Sequence, residues 1–98
     1  MDCKNEITYA KPYYKLVRIV WIETIDTYFK FINWVAGEFD LFLQDDSDGL
    51  KIYYPSGRLN IKSIDNKLQI TIMSKSKLVC EKINIQLHSI YNQIDQNL

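Results

Sequence analysis

The stretch KLVRIVWIETIDTYFKFINWVAG, residues 15–37, decides the fold, because its apolar residues satisfy two periodicities at once. Val17, Trp21, Ile25, Tyr28, Ile32 and Val35 recur at three- and four-residue steps, which sets them on one helical stripe, and Gly37 suits the position just past a helix end. The spacing predicts one long helix over residues 12–37. The same stretch is full of β-branched and aromatic residues, which lose side-chain freedom in a helix and fit a pleated sheet. On that count residues 15–22 read instead as a strand, with the helix starting near Thr24. Arg18, Glu23, Asp26 and Lys30 interrupt the run with charges that are costly in hydrocarbon, so it is a core element and not a membrane span.

Beyond Gly37 the period falls to two. Phe39, Leu41 and Leu43 alternate with Glu38, Asp40, Phe42 and Gln44, and Leu50, Ile52 and Tyr54 alternate with Lys51 and Tyr53. Leu59 and Ile61 alternate with Arg58, Asn60 and Lys62, and Leu68, Ile70 and Ile72 alternate with Lys67, Gln69 and Thr71. Asp48-Gly49, Pro55-Ser56-Gly57 and Asp65-Asn66-Lys67 separate these runs with residues that accept positive φ or preset it. Near the C-terminus, Val79, Cys80, Ile83, Leu87, Ile90, Tyr91, Ile94 and Leu98 fall on one helical face. The expected fold class is α+β: an antiparallel four-stranded meander packed on an N-terminal and a C-terminal helix. Residues 1–98 are expected to form one domain, with residues 1–11 a flexible or edge segment.

Lys plus Arg number 12 and so do Asp plus Glu, which removes the overall basic charge that marks most nucleic-acid binders. Asp2, Lys4 and Glu6 precede any apolar run, unlike a secretory leader, and Cys3 and Cys80 are too few for a disulfide framework. A reducing, cytoplasmic setting is expected. Fourteen Ile, ten Lys, seven Asn and seven Tyr against two Ala resemble the codon bias of an AT-rich genome, and a bacterial or phage source is expected.

Five carboxylates, Glu38, Asp40, Asp45, Asp46 and Asp48, crowd into eleven residues. A calcium loop aligned on Gly49 would need acidic ligands at its first and last positions, which are Gln44 and Pro55, so no metal site is expected there. Cys80, Asn84 and His88 lie along one helix edge, but residues eight apart are about 12 Å apart, too far for a thiol-imidazole pair. Glu23 and Asp26, three apart, read as a solvated helix edge. No catalytic residue and no cofactor is expected. The residues 49–59, GLKIYYPSGRL, resemble one unit of the tyrosine-glycine hairpins called MORN repeats, and that single unit implies a hairpin and nothing about function.

With Leu50, Ile52 and Tyr54 turned inward, the opposite sheet face would present Phe42, Lys51, Tyr53, Arg58, Asn60, Lys62, Gln69 and Thr71. The expected function is therefore binding without catalysis, to a protein partner such as a toxin or nuclease, as an inhibitor or immunity protein. The expected contact residues are Glu38, Asp40, Phe42, Asp45, Asp46, Asp48, Tyr53 and Arg58. A nucleic-acid module using Lys51, Tyr53, Arg58, Lys62 and Lys67, or a homodimer, is the alternative; no membrane partner is expected.

Overall fold

The computed structural model describes residues 7–96, which leaves Cys3 and Leu98 outside the described part of the chain, and it resolves residues 15–37 into a strand followed by a helix. The elements run β1 (Ile7–Ala10), β2 (Tyr13–Trp21), α1 (Ile25–Glu38), β3 (Leu43–Asp45), β4 (Leu50–Tyr54), β5 (Gly57–Ile64), β6 (Lys67–Ser74) and α2 (Lys77–Gln96). The single long helix over residues 12–37 is not formed. Its first half is β2, where Leu16, Arg18 and Val20 are buried on one face and Val17 and Ile19 are half-buried on the other. A strand apolar on both faces shows no alternation, and its residues then satisfy a helical spacing by coincidence.

Thr24 starts α1 as an N-cap whose side chain accepts from the Thr27 amide at 3.4 Å, and Asp26 sits in the first turn, where the helix dipole favours a carboxylate. The helix runs through Gly37 to Glu38 and caps on Phe39, so the strand expected over residues 39–44 is mostly turn. Only Leu43–Asp45 pairs, as β3. Here the α1 carbonyls left open at the helix end find a side-chain donor: Gln44 Nε2 donates to Ala36 O and Phe39 O, each at 2.9 Å.

All six strands form one antiparallel sheet in the order β1-β2-β6-β5-β4-β3, two strands more than the expected four. The run from β3 to β6 is a meander, and the β1–β2 hairpin joins it through β2 against β6. The start of β5 lies so close to β6 that it needs glycine: a Cβ on Gly57 would strike the Met73 carbonyl. At the other end, Gly49 takes φ 73° and packs against the Ile61 carbonyl.

One face of the sheet supplies Leu16, Val20, Leu50, Ile52, Leu59, Ile61, Leu68, Ile70 and Ile72 to a single buried cluster. Phe31 and Val35 of α1 and Cys80, Ile83, Leu87 and Ile90 of α2 complete it. Contacts run from α1 to β4 and β5, from α2 to β6 and β2, and between the helices. Burying a Phe31-sized side chain contributes about 3 kcal/mol, so this cluster dominates stability. Neither described helix is long and apolar enough to cross a membrane.

Candidate functional site

The side chains between the buried rows point to the other face of the sheet, and the strand register assembles them into rungs. Trp21, Lys67 and Ile64 share one rung; Ile19, Gln69 and Lys62 share the next. Val17, Thr71, Asn60, Lys51 and Asp45 follow, then Lys15, Met73, Arg58, Tyr53 and Leu43. This open face has two halves. The β2 half is aliphatic and aromatic, and the β4–β5 half is basic. Trp21 is 56% exposed, with Lys67 Nζ 4.9 Å from its ring centroid, a cation-π approach that holds the indole against the sheet edge.

Tyr53 and Arg58 are cross-strand partners across the β4–β5 hairpin and sit between two hollows. The first, about 300 Å³, is lined by Asp48, Lys51, Tyr53, Arg58, Asn60 and Lys62. The second, about 270 Å³, lies at the hairpin turn among Tyr13, Tyr53, Tyr54, Pro55, Met73 and Lys75, with Arg58 on its wall. Beneath the turn, the Tyr54 hydroxyl lies 2.9 Å from Arg58 O and 2.7 Å from Met73 O, so its one proton is shared between two carbonyls. Ser74 Oγ donates to Ser56 Oγ at 2.8 Å, and the Lys75 amide donates to Ser56 O at 2.8 Å. The turn carrying Tyr53 and Arg58 is thus fixed from below.

The acidic window is not one cluster. Asp45 stands on the open face opposite Lys51, its carboxyl held below the usual range by the Ser47 amide and hydroxyl, with Lys51 acting in the same direction. Asp48 lines the basic hollow and also lies near the first half of α1, where burial and then its negative charge push the Tyr28 phenol up. Glu38, ten residues beyond Tyr28 and so about 15 Å further along the helix, turns to α2 and takes a 3.5 Å contact from Gln86 Nε2. Asp46 faces Ile32, Asn33 and Ala36 on the outer flank of α1, and Asp40 is exposed in the turn. Phe42, expected on the sheet, packs edge-on to Tyr54 at 6.4 Å and against Phe39 at 6.3 Å, because residue 42 lies in the turn and not in a strand.

The reactive side chains of the described residues are committed to structure. Cys80 is fully buried, its Sγ 3.5 Å from Tyr14 O, and burial pushes its thiol pKa up. His88 Nδ1 lies 2.9 Å from Arg18 Nη2, and Asn84 Oδ1 lies 3.2 Å from Arg18 Nη1. The Cys80, Asn84 and His88 edge therefore faces β2, a partner hidden while β2 read as helix. Glu23 precedes α1, and Asp26 pairs with Lys30 at 3.3 Å. Among the described residues, no group of three or more His, Cys, Asp or Glu is arranged to hold a metal.

Sequence reading alone missed Tyr13, Lys15, Val17, Ile19, Trp21, Ile64 and Met73 as open-face residues. The signal for Tyr13, Val17, Ile19 and Trp21 was their high β propensity. No protein-family model matches the sequence, and no curated protein matches it at a significant level.

Proposed function

We propose that this chain is a protein-binding domain that docks through the open face of its sheet and acts by occupying its partner. In this reading it is an inhibitor or immunity protein that neutralises a toxin or defence enzyme in the cytoplasm. One observation carries the reading: Val17, Ile19 and Trp21 lie in line along β2 on the helix-free face, which they share with the Tyr53–Arg58 pair. Trp, Tyr and Arg are the side chains that most often anchor protein interfaces. Aliphatic Val17 and Ile19 offer a nucleic acid nothing to stack on, whereas they complement an apolar protein surface. Asp45 and Asp48 at the β3 edge give the docking face an acidic border that steers a basic rim on the partner into register.

The test is capture of a partner from nuclease-treated lysate by the wild-type chain, by Trp21→Ala and by Tyr53→Ala, with circular dichroism to verify folding. Each of these exposed residues is expected to cost about tenfold or more in partner affinity, the size of an interface anchor. Equal capture by all three proteins would overturn the proposal. Binding of a single-stranded oligonucleotide, weakening steeply with salt, would replace it with nucleic-acid recognition. A mass doubling with concentration would instead make a second copy the partner.

A further inference from the structure

The basic hollow and its neighbour define what the partner must bring. We infer that the hollow between Lys51, Arg58 and Lys62 receives a carboxylate of the partner, while the hollow at the β4–β5 turn receives an apolar side chain from the same segment. This inference rests on the protein-binding reading and names the partner's chemistry at that site.

Three observations support it. Lys51, Arg58 and Lys62 converge on one hollow, yet none of them has a carboxylate within ion-pair distance among the described residues, where Asp26 and Lys30 do pair. Positive charge is thus concentrated, and Asp48 on the wall and Asp45 opposite Lys51 balance it only in part. Asn60, which lines that hollow, has a side-chain oxygen shielded from solvent that meets no donor among the described residues. A ligand that shifts the side chains covering this oxygen and brings a hydrogen-bond donor satisfies it. A peptide segment does so through its main-chain N–H groups, whereas a phosphodiester backbone brings acceptors only. Finally, Asp48 forms part of the hollow's wall and Asp45 stands opposite Lys51 at the sheet edge. A continuous polyanion leaving the hollow would run into these carboxylates; a single carboxylate does not.

The second hollow adds spacing. Its lining sets the aromatic and apolar Tyr13, Tyr53, Pro55 and Met73 beside Ser56, Arg58 and Lys75, and it begins where the first ends, at the Tyr53–Arg58 rung. Asn60 lines one hollow and Ser56 the other, four residues apart along the chain. At about 3.3 Å per residue of strand that separation is at most about 13 Å, since Ser56 lies in the turn. An extended partner segment covers it with an acidic and an apolar residue four positions apart, since an even spacing turns both side chains to one face.

The experiment titrates the isotope-labelled full chain with the heptapeptide acetyl-Gly-Leu-Ser-Ser-Ser-Glu-Gly-amide and follows amide shifts. Counterparts carry Gln for Glu or Ser for Leu, and a dT12 oligonucleotide is run in parallel. The expected result is weak binding with shifts at both hollows, at least fivefold weaker with the Gln peptide and with Arg58→Ala or Lys62→Ala. Loss of the Leu side chain should erase the shifts around Tyr13 and Met73 first. Equal binding of the Glu and Gln peptides, or no shifts at either hollow up to roughly 10 mM peptide, the floor of measurable affinity, would overturn the assignment. So would tighter, salt-sensitive binding of dT12, which would give the hollow to phosphate. Partner capture separates the two readings. If Arg58→Glu with Lys62→Glu retains a partner that Trp21→Ala loses, the carboxylate assignment fails and protein binding stands; if Trp21→Ala and Tyr53→Ala retain it as well, both fail.

Discussion

Arg18 on β2 and His88 on α2, seventy residues apart in the chain, meet at 2.9 Å between Nη2 and Nδ1. A guanidinium only donates, so the imidazole accepts at Nδ1 and carries its ring proton on Nε2. With Asn84 Oδ1 at 3.2 Å from Nη1, the contact pins α2 to β2 at a residue only 1% exposed.

Arg18→Ala is expected to cost about 3–5 kcal/mol, since it opens a cavity and strips two acceptors of their donor. Arg18→Met fills the same space without a charge and should recover at least about half of that loss, because apolar replacements of buried ions are often tolerated. Urea unfolding of the two variants measures the difference. If Met is as damaging as Ala, the hydrogen bonds and not the packing dominate.

Gln44 carries a second test. Its amide closes the end of α1, and Gln44→Glu keeps its shape while replacing a donor with a negative charge beside helix carbonyls. A loss of about 1–3 kcal/mol is expected, larger than for Gln44→Ala, because an unmade hydrogen bond costs less than a repulsive contact. Equal effects in chemical denaturation would count against the cap.

Two glycines should respond in opposite directions. Gly57→Ala drives a methyl into the Met73 carbonyl and should destabilise by about 2 kcal/mol or more, with loss of the β4–β5 hairpin amide pattern. Gly37 lies within α1, and a methyl added there would meet nothing within 4 Å, so Gly37→Ala should stabilise by about 0.5–1 kcal/mol. Thermal unfolding midpoints report both signs.

Tyr54 gives the chain an alkaline limit. Burial, with the Cys80 thiolate as a lesser cause, pushes its phenol well above the ordinary tyrosine range, so the folded state holds the proton more tightly than the unfolded state. Its contribution is complete below the unfolded value of about 10 and is lost as pH rises towards the folded value. Tyr54→Phe should cost about 1 kcal/mol at neutral pH through the lost hydrogen bond. Above pH of about 10 the gap between wild type and variant should close, because the variant has no proton to lose there. A gap that stays constant from pH 8 to 11, to order of magnitude the window of phenol titration, would show that the hydroxyl is not sheltered.

What the sequence revealed depended on whether each strand had one wet face. Strands β4, β5 and β6 alternate buried and half-exposed residues, and their turns carry Pro55, Gly57 and Asp65, the last at φ 56°, so hairpins and inward residues were legible there. Tyr53 and Arg58 were placed together for the same reason. Strand β2 was ambiguous because Val17, Ile19 and Trp21 make its open side apolar too, and half the candidate docking face was hidden with it. Residues 39–44 misled in the opposite way: Phe39 is buried as the cap of α1 and not as a strand residue, while Leu41 is 93% exposed. The separation of Glu38 from Asp48 followed from that turn and could not be read from their closeness in the chain.

The pairing of β2 with β6 has a consequence for synthesis. Register partners Tyr14 and Ser74 are sixty residues apart, and Trp21 and Lys67 forty-six, so the seam between the N-terminal hairpin and the meander is the most distant contact in the sheet. Loop-closure entropy must be met before such a seam forms, whereas the β5–β6 hairpin closes locally. On the ribosome β1 and β2 emerge with no meander to join until residue 74 has been made. Their apolar strand must wait in the open, which makes completion of β6 the event that commits the chain to its fold.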